Sequence, residues 1–170
     1  DPNYSGVDPA DVAVTNTDDD GAGFTVTPTA GLLTSEAGGT ATFTVVLTSQ
    51  PTADVSIGLA SSDPPEGTVA PASLTFTAAD WNAPQTVTVT GVDDAVADGN
   101  IAYTIATAAA VSADLNYSGG DPADVAVTNA DNDLAGITVT PVAGLTTSEA
   151  GGTATFTVVL TSQPTADVTI

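Results

Sequence analysis

Residues 1–57 return as residues 114–170 at a constant offset of 113, with nine differences, at Pro2, Val7, Thr17, Asp19, Gly21, Phe24, Thr29, Leu33 and Ser56. Asn3 thus corresponds to Asn116, Glu36 to Glu149 and Ile57 to Ile170. A chain that copies itself at this interval must solve its folding problem within one interval. Each copy buries its apolar side chains internally or against an identical neighbour, as in tandem arrays. The expected division is residues 1–20 as the end of one unit, 21–133 as a complete unit and 134–170 as the start of the next.

Within the complete unit, apolar residues recur with period two, the period of a half-buried strand. Ala41, Phe43, Val45 and Leu47 fall on one face of a segment whose other face carries Thr40, Thr42, Thr44 and Thr48, with Val46 as the exception. Six further segments carry the same signal: Phe24–Val26, Val55–Leu59, Leu74–Phe76, Val87–Val89, Ile101–Ile105 and Val125–Val127. Turn residues separate them, as at Gln50-Pro51-Thr52-Ala53 and Asp63-Pro64-Pro65-Glu66-Gly67. β-Branched Thr and Val dominate and helical periodicity is absent. Seven short strands with Gly, Pro and Asp turns predict an all-β, seven-stranded antiparallel β-sandwich. A barrel is the alternative. Trp81, in a Pro-containing turn, is expected to cap the core rather than stack on a sugar.

Charge narrows the function. The chain has no Lys, Arg or His and 21 acidic residues, a formal net charge of −21. No carboxylate can pair with a basic side chain, and the compact state carries their mutual repulsion. Without Lys or Arg, nucleic-acid binding and attraction to an anionic membrane are excluded as leading functions. No Ser-His, Cys-His or Lys nucleophile can be assembled. Imidazole and thiolate metal sites are equally out of reach, since His and Cys are absent. All-oxygen coordination of a hard cation remains. Asp93 and Asp94 could be imagined as an acid/base pair, but no pocket signal accompanies them, and no enzyme activity is expected. A hydrophobic share of 42% with clear alternation argues against disorder.

The strand order places the carboxylates. In a seven-stranded sandwich lettered A to G, loops AB, CD and EF share one end with the exit from strand G. Glu36 falls in AB, Asp63 and Glu66 in CD, Asp93, Asp94 and Asp98 in EF, and Asp131, Asn132 and Asp133 at the exit. Their copies in the flanking units are Asp18 and Asp20 on one side and Glu149 on the other. Crowded carboxylates raise one another's pKa values and destabilise the fold. Ca²⁺, which takes six to eight oxygen ligands in flexible geometry, resolves that conflict. Solvated loop acids are the bland alternative.

The opposite end carries Asp54, Asp80 and the loop Asp114-Leu115-Asn116-Tyr117-Ser118-Gly119. Its D-x-N-x-S-G spacing matches the first half of a calcium loop, yet the twelfth position is Val125 rather than a bidentate Glu. A tight Asx turn is the expected reading. Asn3 and Asn116 also begin Asn-Tyr-Ser sequons, which makes glycans a candidate partner.

The run Ser35-Glu36-Ala37-Gly38-Gly39 followed by TATFTVVLTS, then SLTFTAADWNAPQTVTV, Asp93-Asp94 and the Asp-Asn-Asp exit resembles a Calx-β-type module. That resemblance spans the whole unit. It implies a calcium-binding sandwich with ligands from the AB glutamate, the CD loop, the EF acids and the domain end, and so supports Glu36, Asp63, Asp93 and Asp94 most directly. The CD loop departs from the family's usual D-G-T-A pattern, reading Ser-Asp-Pro-Pro-Glu-Gly-Thr. The repeats are also similar to acidic, Thr-rich stalk modules of large bacterial adhesins. The expected role is mechanical: an extracellular or cell-surface fibre of sandwiches whose joints are stiffened by Ca²⁺, with neighbouring repeats as partners. A carbohydrate- or surface-binding module and a strand-sharing filament subunit are the alternatives. An end at Ile170, inside an expected strand, motivates the last of these.

Overall fold

The alternation read from the sequence becomes two facing sheets. The computed structural model describes residues 1–170 and contains strands and no helix. The sandwich is built from β1 (Phe24–Thr27), β2 (Leu32–Ser35), β3 (Thr40–Leu47), β4 (Val55–Ser61) and β5 (Gly67–Ala70). It continues with β6 (Ser73–Phe76), β7 (Gln85–Gly91), β8 (Ile101–Thr107), β9 (Val111–Ser112) and β10 (Val125–Ala130). One sheet has the order β1-β3-β7-β5 and the other β2-β10-β8-β4-β6. Strands β8 and β9 share one edge of β4: β8 pairs along Leu59–Ser61 and β9 along Val55–Ser56.

Every second residue of the long strands points into the space between the sheets. Phe43, Val45 and Leu47 of β3 meet Val55, Ile57 and Leu59 of β4, with Val87 and Val89 of β7 beside them. Leu74, Phe76, Tyr103, Ile105, Val125 and Val127 complete the strand contribution to the core. Each such side chain contributes about 1.5–3 kcal/mol on leaving water. Phe24 closes one end by packing edge to face on Tyr117, with centroids 5.6 Å apart. Trp81 is half-buried and packs against the core, as a cap would. Thr40 and Thr42 face solvent.

The structure adds three strands to the seven expected, and one of them changes the pairing. The first strand is two: after β1 the chain turns at Gly31 (φ 78°) and re-enters as β2 in the opposite sheet. There β2 runs parallel to β10, with Thr34 opposite Asn129, so the sandwich is not wholly antiparallel. Strands β5 and β9 are too short for a period to register; β5 has a single large apolar residue, Val69.

Outside the sandwich, residues 1–23 form no strand and are exposed except at Gly23. Residues 134–170 contain a single antiparallel pair, β11 (Ile137–Thr140) with β12 (Thr157–Leu160). Its register, Ile137 opposite Leu160, is that of Phe24 opposite Leu47 moved by 113 residues.

Candidate functional site at the acidic pole

Four chain segments meet at one pole of the sandwich, and each brings carboxylates. The turn after β2 is closed by Gly38 and Gly39 N–H groups donating to the Ser35 carbonyl at 3.0 and 3.1 Å. Gly38 takes φ 80°, a left-handed conformation that a side chain would strain. The Glu36 N–H donates to the Ala130 carbonyl at 3.1 Å, tying this turn to the end of β10. Glu36 itself is only 4% exposed. Its Oε2 accepts the Asn132 N–H at 2.9 Å.

The exit from β10 supplies the next two acids. Asp131 accepts the Asp133 N–H at 2.6 Å and the Gly99 N–H at 2.7 Å. Those bonds hold its carboxyl below the usual range, against the penalty of desolvation. Asp133 lies above its ordinary value, because burial and the charges of Asp131, Asp93, Asp94 and Asp98 disfavour its anion. One of its oxygens, Oδ2, is buried without any hydrogen-bond partner. Glu36 is also raised. The Asn132 N–H pulls it down, but burial and the neighbouring Asp131 and Asp94 together outweigh that bond. Ligand oxygens of Glu36, Asp131 and Asp133 all lie within 4.8 Å of one another.

A second group forms beside the first. The Glu66 and Gly67 N–H groups both donate to the Asp63 carbonyl at 3.1 Å, a turn that sets Glu66 at the pole, 8% exposed. Asp94 and Asp98 come from the loop between β7 and β8, and their carboxylates lie within 4.8 Å of that of Glu66 and of each other. Asp93 accepts the Asn132 side-chain N–H at 3.2 Å, bridging toward the first group.

Of the expected site residues, the structure thus brings together Glu36, Glu66, Asp94, Asp98, Asp131 and Asp133, with Asp93 and Asn132 alongside. It does not bring Asp63 into either group; that residue contributes its carbonyl to the turn beneath Glu66. Glu149 is exposed on the turn Ser148–Gly152, in no such cluster. Asp18 and Asp20 line a cavity of about 370 Å³ with Gln50, Thr52, Asp114 and Asn116. In that cavity Asp114 accepts the Thr52 N–H at 2.8 Å and the Asn116 N–H at 3.0 Å, the second being an Asx turn. Those two bonds hold its carboxyl below the ordinary range.

Sequence reasoning missed Asn129. It is 1% exposed, and its side-chain N–H groups donate to Glu66 Oε2 at 3.3 Å and to the Val92 carbonyl at 3.1 Å. Its Oδ1 accepts the Thr34 hydroxyl at 3.0 Å, and Thr34 Oγ1 lies 3.2 Å from the Tyr103 hydroxyl. The signal was present: Asn129 continues the inward period of Val125 and Val127. A buried polar residue at an inward position has to be satisfied, here by the acid it orients.

All-oxygen donors, an orphaned carboxylate oxygen and two carboxyls, Glu36 and Asp133, raised by burial and by neighbouring charge fit a hard divalent cation. Glu36, Asp131 and Asp133 could hold one ion, and Glu66, Asp94 and Asp98 another.

No protein-family model and no curated protein matches the chain. Solved structures do match in fold. The apo form of the Calx CBD1 domain aligns with TM-score 0.51 and 16% identity, over 67% of this chain and 100% of that one. The periplasmic chaperone SfaE aligns with TM-score 0.50 and 9% identity over 65% of this chain, which spans 58% of the chaperone's length. A PapD-like domain of human CEP192 aligns at TM-score 0.48 and 14% identity, over 75% of this chain and 98% of that one. The chain is thus an all-β β-sandwich, similar in fold to Calx CBD1 and the SfaE chaperone.

Proposed function

We propose that the chain is a stretch of an extracellular fibre or adhesin stalk, built from 113-residue sandwiches whose joints are stiffened by Ca²⁺. Residues 1–20, 21–133 and 134–170 are on this reading parts of three successive units. The observation that carries it is the pair of acidic groups at the exit pole of a chain without a single basic side chain. The buried, unpartnered Asp133 Oδ2 adds to this, since a carboxylate oxygen without a donor wants a cation. Near-identity at an offset of 113 and the shared register of β1·β3 and β11·β12 support a repeated unit. The likeness to Calx CBD1 is one of fold; the ligand proposal stands on the residues.

Binding to the native state alone stabilises by about 2.7 kcal/mol when free ion exceeds its dissociation constant a hundredfold. Calorimetric melting with saturating Ca²⁺ is expected to give a Tm several degrees above that in EGTA. Paired Glu36→Gln and Asp133→Asn substitutions should reduce that difference, and adding Glu66→Gln and Asp94→Asn should remove most of it. A melt that Ca²⁺ leaves unchanged would sink the proposal.

A further inference from the structure

The loop that carries Asp94 and Asp98 also touches the segment beyond the sandwich. Its Ala95 carbonyl accepts the Gln163 backbone N–H at 2.6 Å, and Val96 lies beside Gln163 in a single parallel bridge. Gln163 sits in the turn Ser162-Gln163-Pro164-Thr165, after β12. The 113-residue offset maps that turn onto Ser49-Gln50-Pro51-Thr52, after β3. The two turns are identical in sequence, yet only Gln163 uses its backbone N–H; Gln50 instead donates its side-chain Nε2 to the Ala78 carbonyl at 2.7 Å. The Gln50 N–H makes no hydrogen bond within the chain, and Gln50 is exposed.

The free turn is nevertheless held in shape. On one flank the Ser49 N–H donates to the Tyr117 hydroxyl at 3.1 Å, and on the other the Thr52 N–H donates to Asp114 Oδ2 at 2.8 Å. A clamped turn with one unused donor at its centre is pre-organised for an incoming carbonyl, which lowers the entropy cost of docking. The incoming side is shaped too. Asp94 Oδ1 accepts the Val96 N–H at 2.7 Å, and the Val96 carbonyl accepts the Asp98 N–H at 3.0 Å. The same five residues therefore present two carboxylates to Glu66 and the Ala95 carbonyl to the next segment.

We infer that the turn Ser49–Thr52 is a socket for the Asp94–Asp98 loop of a second copy of the unit. Copies then stack head to tail through a bond from the socket's glutamine N–H to the loop's Ala95 carbonyl. This rests on the repeat reading above and specifies its joint. The cleft of about 520 Å³ between Val96 and Ala97 and the residues Ile137, Leu160, Pro164 and Val168 does not carry over to the socket, because the corresponding Leu47, Pro51 and Val55 are buried in the complete sandwich; the backbone bond is what the two turns can share. Charge opposes it. The loop side carries Glu66, Asp94 and Asp98 and the socket side Asp114; Asp18 and Asp20, the end of the preceding unit on the repeat reading, line the cavity beside the socket, and the chain has no basic residue to offset them. Two acidic faces at this range repel, so cations in the gap strengthen the stack.

Amide hydrogen exchange, followed by NMR on the 170-residue chain, compares the two identical turns in one molecule. In saturating Ca²⁺ the Gln163 N–H is expected to exchange at least about tenfold more slowly than the Gln50 N–H. Equal rates, in Ca²⁺ and in EGTA alike, overturn the socket. Gln163→Pro deletes the donor at the joint; Gln50→Pro, which also removes the Gln50 Nε2 bond to the Ala78 carbonyl, deletes the equivalent donor where no loop docks. The first is expected to widen the orientational spread of residues 134–170 relative to the sandwich, read from residual dipolar couplings; the second is not. Equal effects overturn the proposal. Slow exchange at Gln163 that is the same in EGTA supports the socket and instead overturns the role of Ca²⁺ in the joint. A failed socket leaves the Ca²⁺-dependent melt untouched, so the two readings fail separately.

Discussion

At the scale of single residues, polar side chains organise the ends of this sandwich. Asn129 links the core hydroxyls of Thr34 and Tyr103 to the carboxylate of Glu66. Its backbone surroundings are tight: a Cβ on Gly91 would collide with the Ser35 carbonyl and crowd Asn129 Oδ1. Asn129→Ala is expected to cost about 1–3 kcal/mol, because Thr34 and Glu66 each lose a partner in a buried setting. A urea titration showing no shift of midpoint would refute that role. Asp114 carries a different prediction. Its folded-state pKa lies below the ordinary 3.8, so its contribution is present above 3.8 and is lost as pH falls through the depressed value. Asp114→Asn should therefore be less stable than the parent at about pH 7, with the gap closing only as pH falls below 3.8 and through the depressed value. A gap independent of pH would mean that charge at Asp114 plays no part.

At the scale of elements, one sequence appears in two environments. The segment TATFTVVL forms the full strand β3 in the sandwich, where Phe43 is 1% exposed. Its copy forms only the four residues of β12, and Phe156 is 58% exposed. Phe43→Ala is expected to cost about 3–5 kcal/mol, through lost transfer energy and the cavity left behind. Phe156→Ala should change stability by less than about 0.5 kcal/mol, as surface substitutions do. Comparable losses at both positions, measured by chemical denaturation, would mean that the second copy packs as the first does. The long strands were legible because eight or so alternating residues outvote local noise, as in β3 and β7. Strands β2, β5 and β9 were not. Their pairing is decided by partners far away in sequence, most clearly where β2 lies parallel to β10.

At the scale of the whole molecule, the net charge of −21 opposes the stability that the core supplies. With no basic residue to pair with, the carboxylates repel at every separation shorter than the screening length. That length falls from about 10 Å at 0.1 M salt to about 3 Å at 1 M. The metal-free chain is therefore expected to melt at a higher temperature as NaCl rises over this range. Saturating Ca²⁺ should flatten that dependence, since bound ions remove the closest repulsions. A Tm that falls with NaCl, followed by scanning calorimetry in EGTA, would show that repulsion does not limit the fold. The pole was legible because strand order alone sends Glu36, Glu66, Asp94, Asp98 and the β10 exit to one end. Its division into two groups, and the exclusion of Asp63 and Glu149 from both, depended on individual turns.

The sequence by itself determined the period, the inward and outward faces of the long strands, the all-β class and the all-oxygen character of any ion site. These follow from local alternation and from the complete absence of Lys, Arg, His and Cys. The tertiary structure decided which acids meet, which polar residue orients them and which of two identical turns uses its glutamine backbone N–H. Gln50 and Gln163 have the same neighbours in sequence, and only their neighbours in space differ. Hydrogen bonds and charge repulsion act over a few ångströms, so residues far apart in the chain become partners only once the sheets have set their distances.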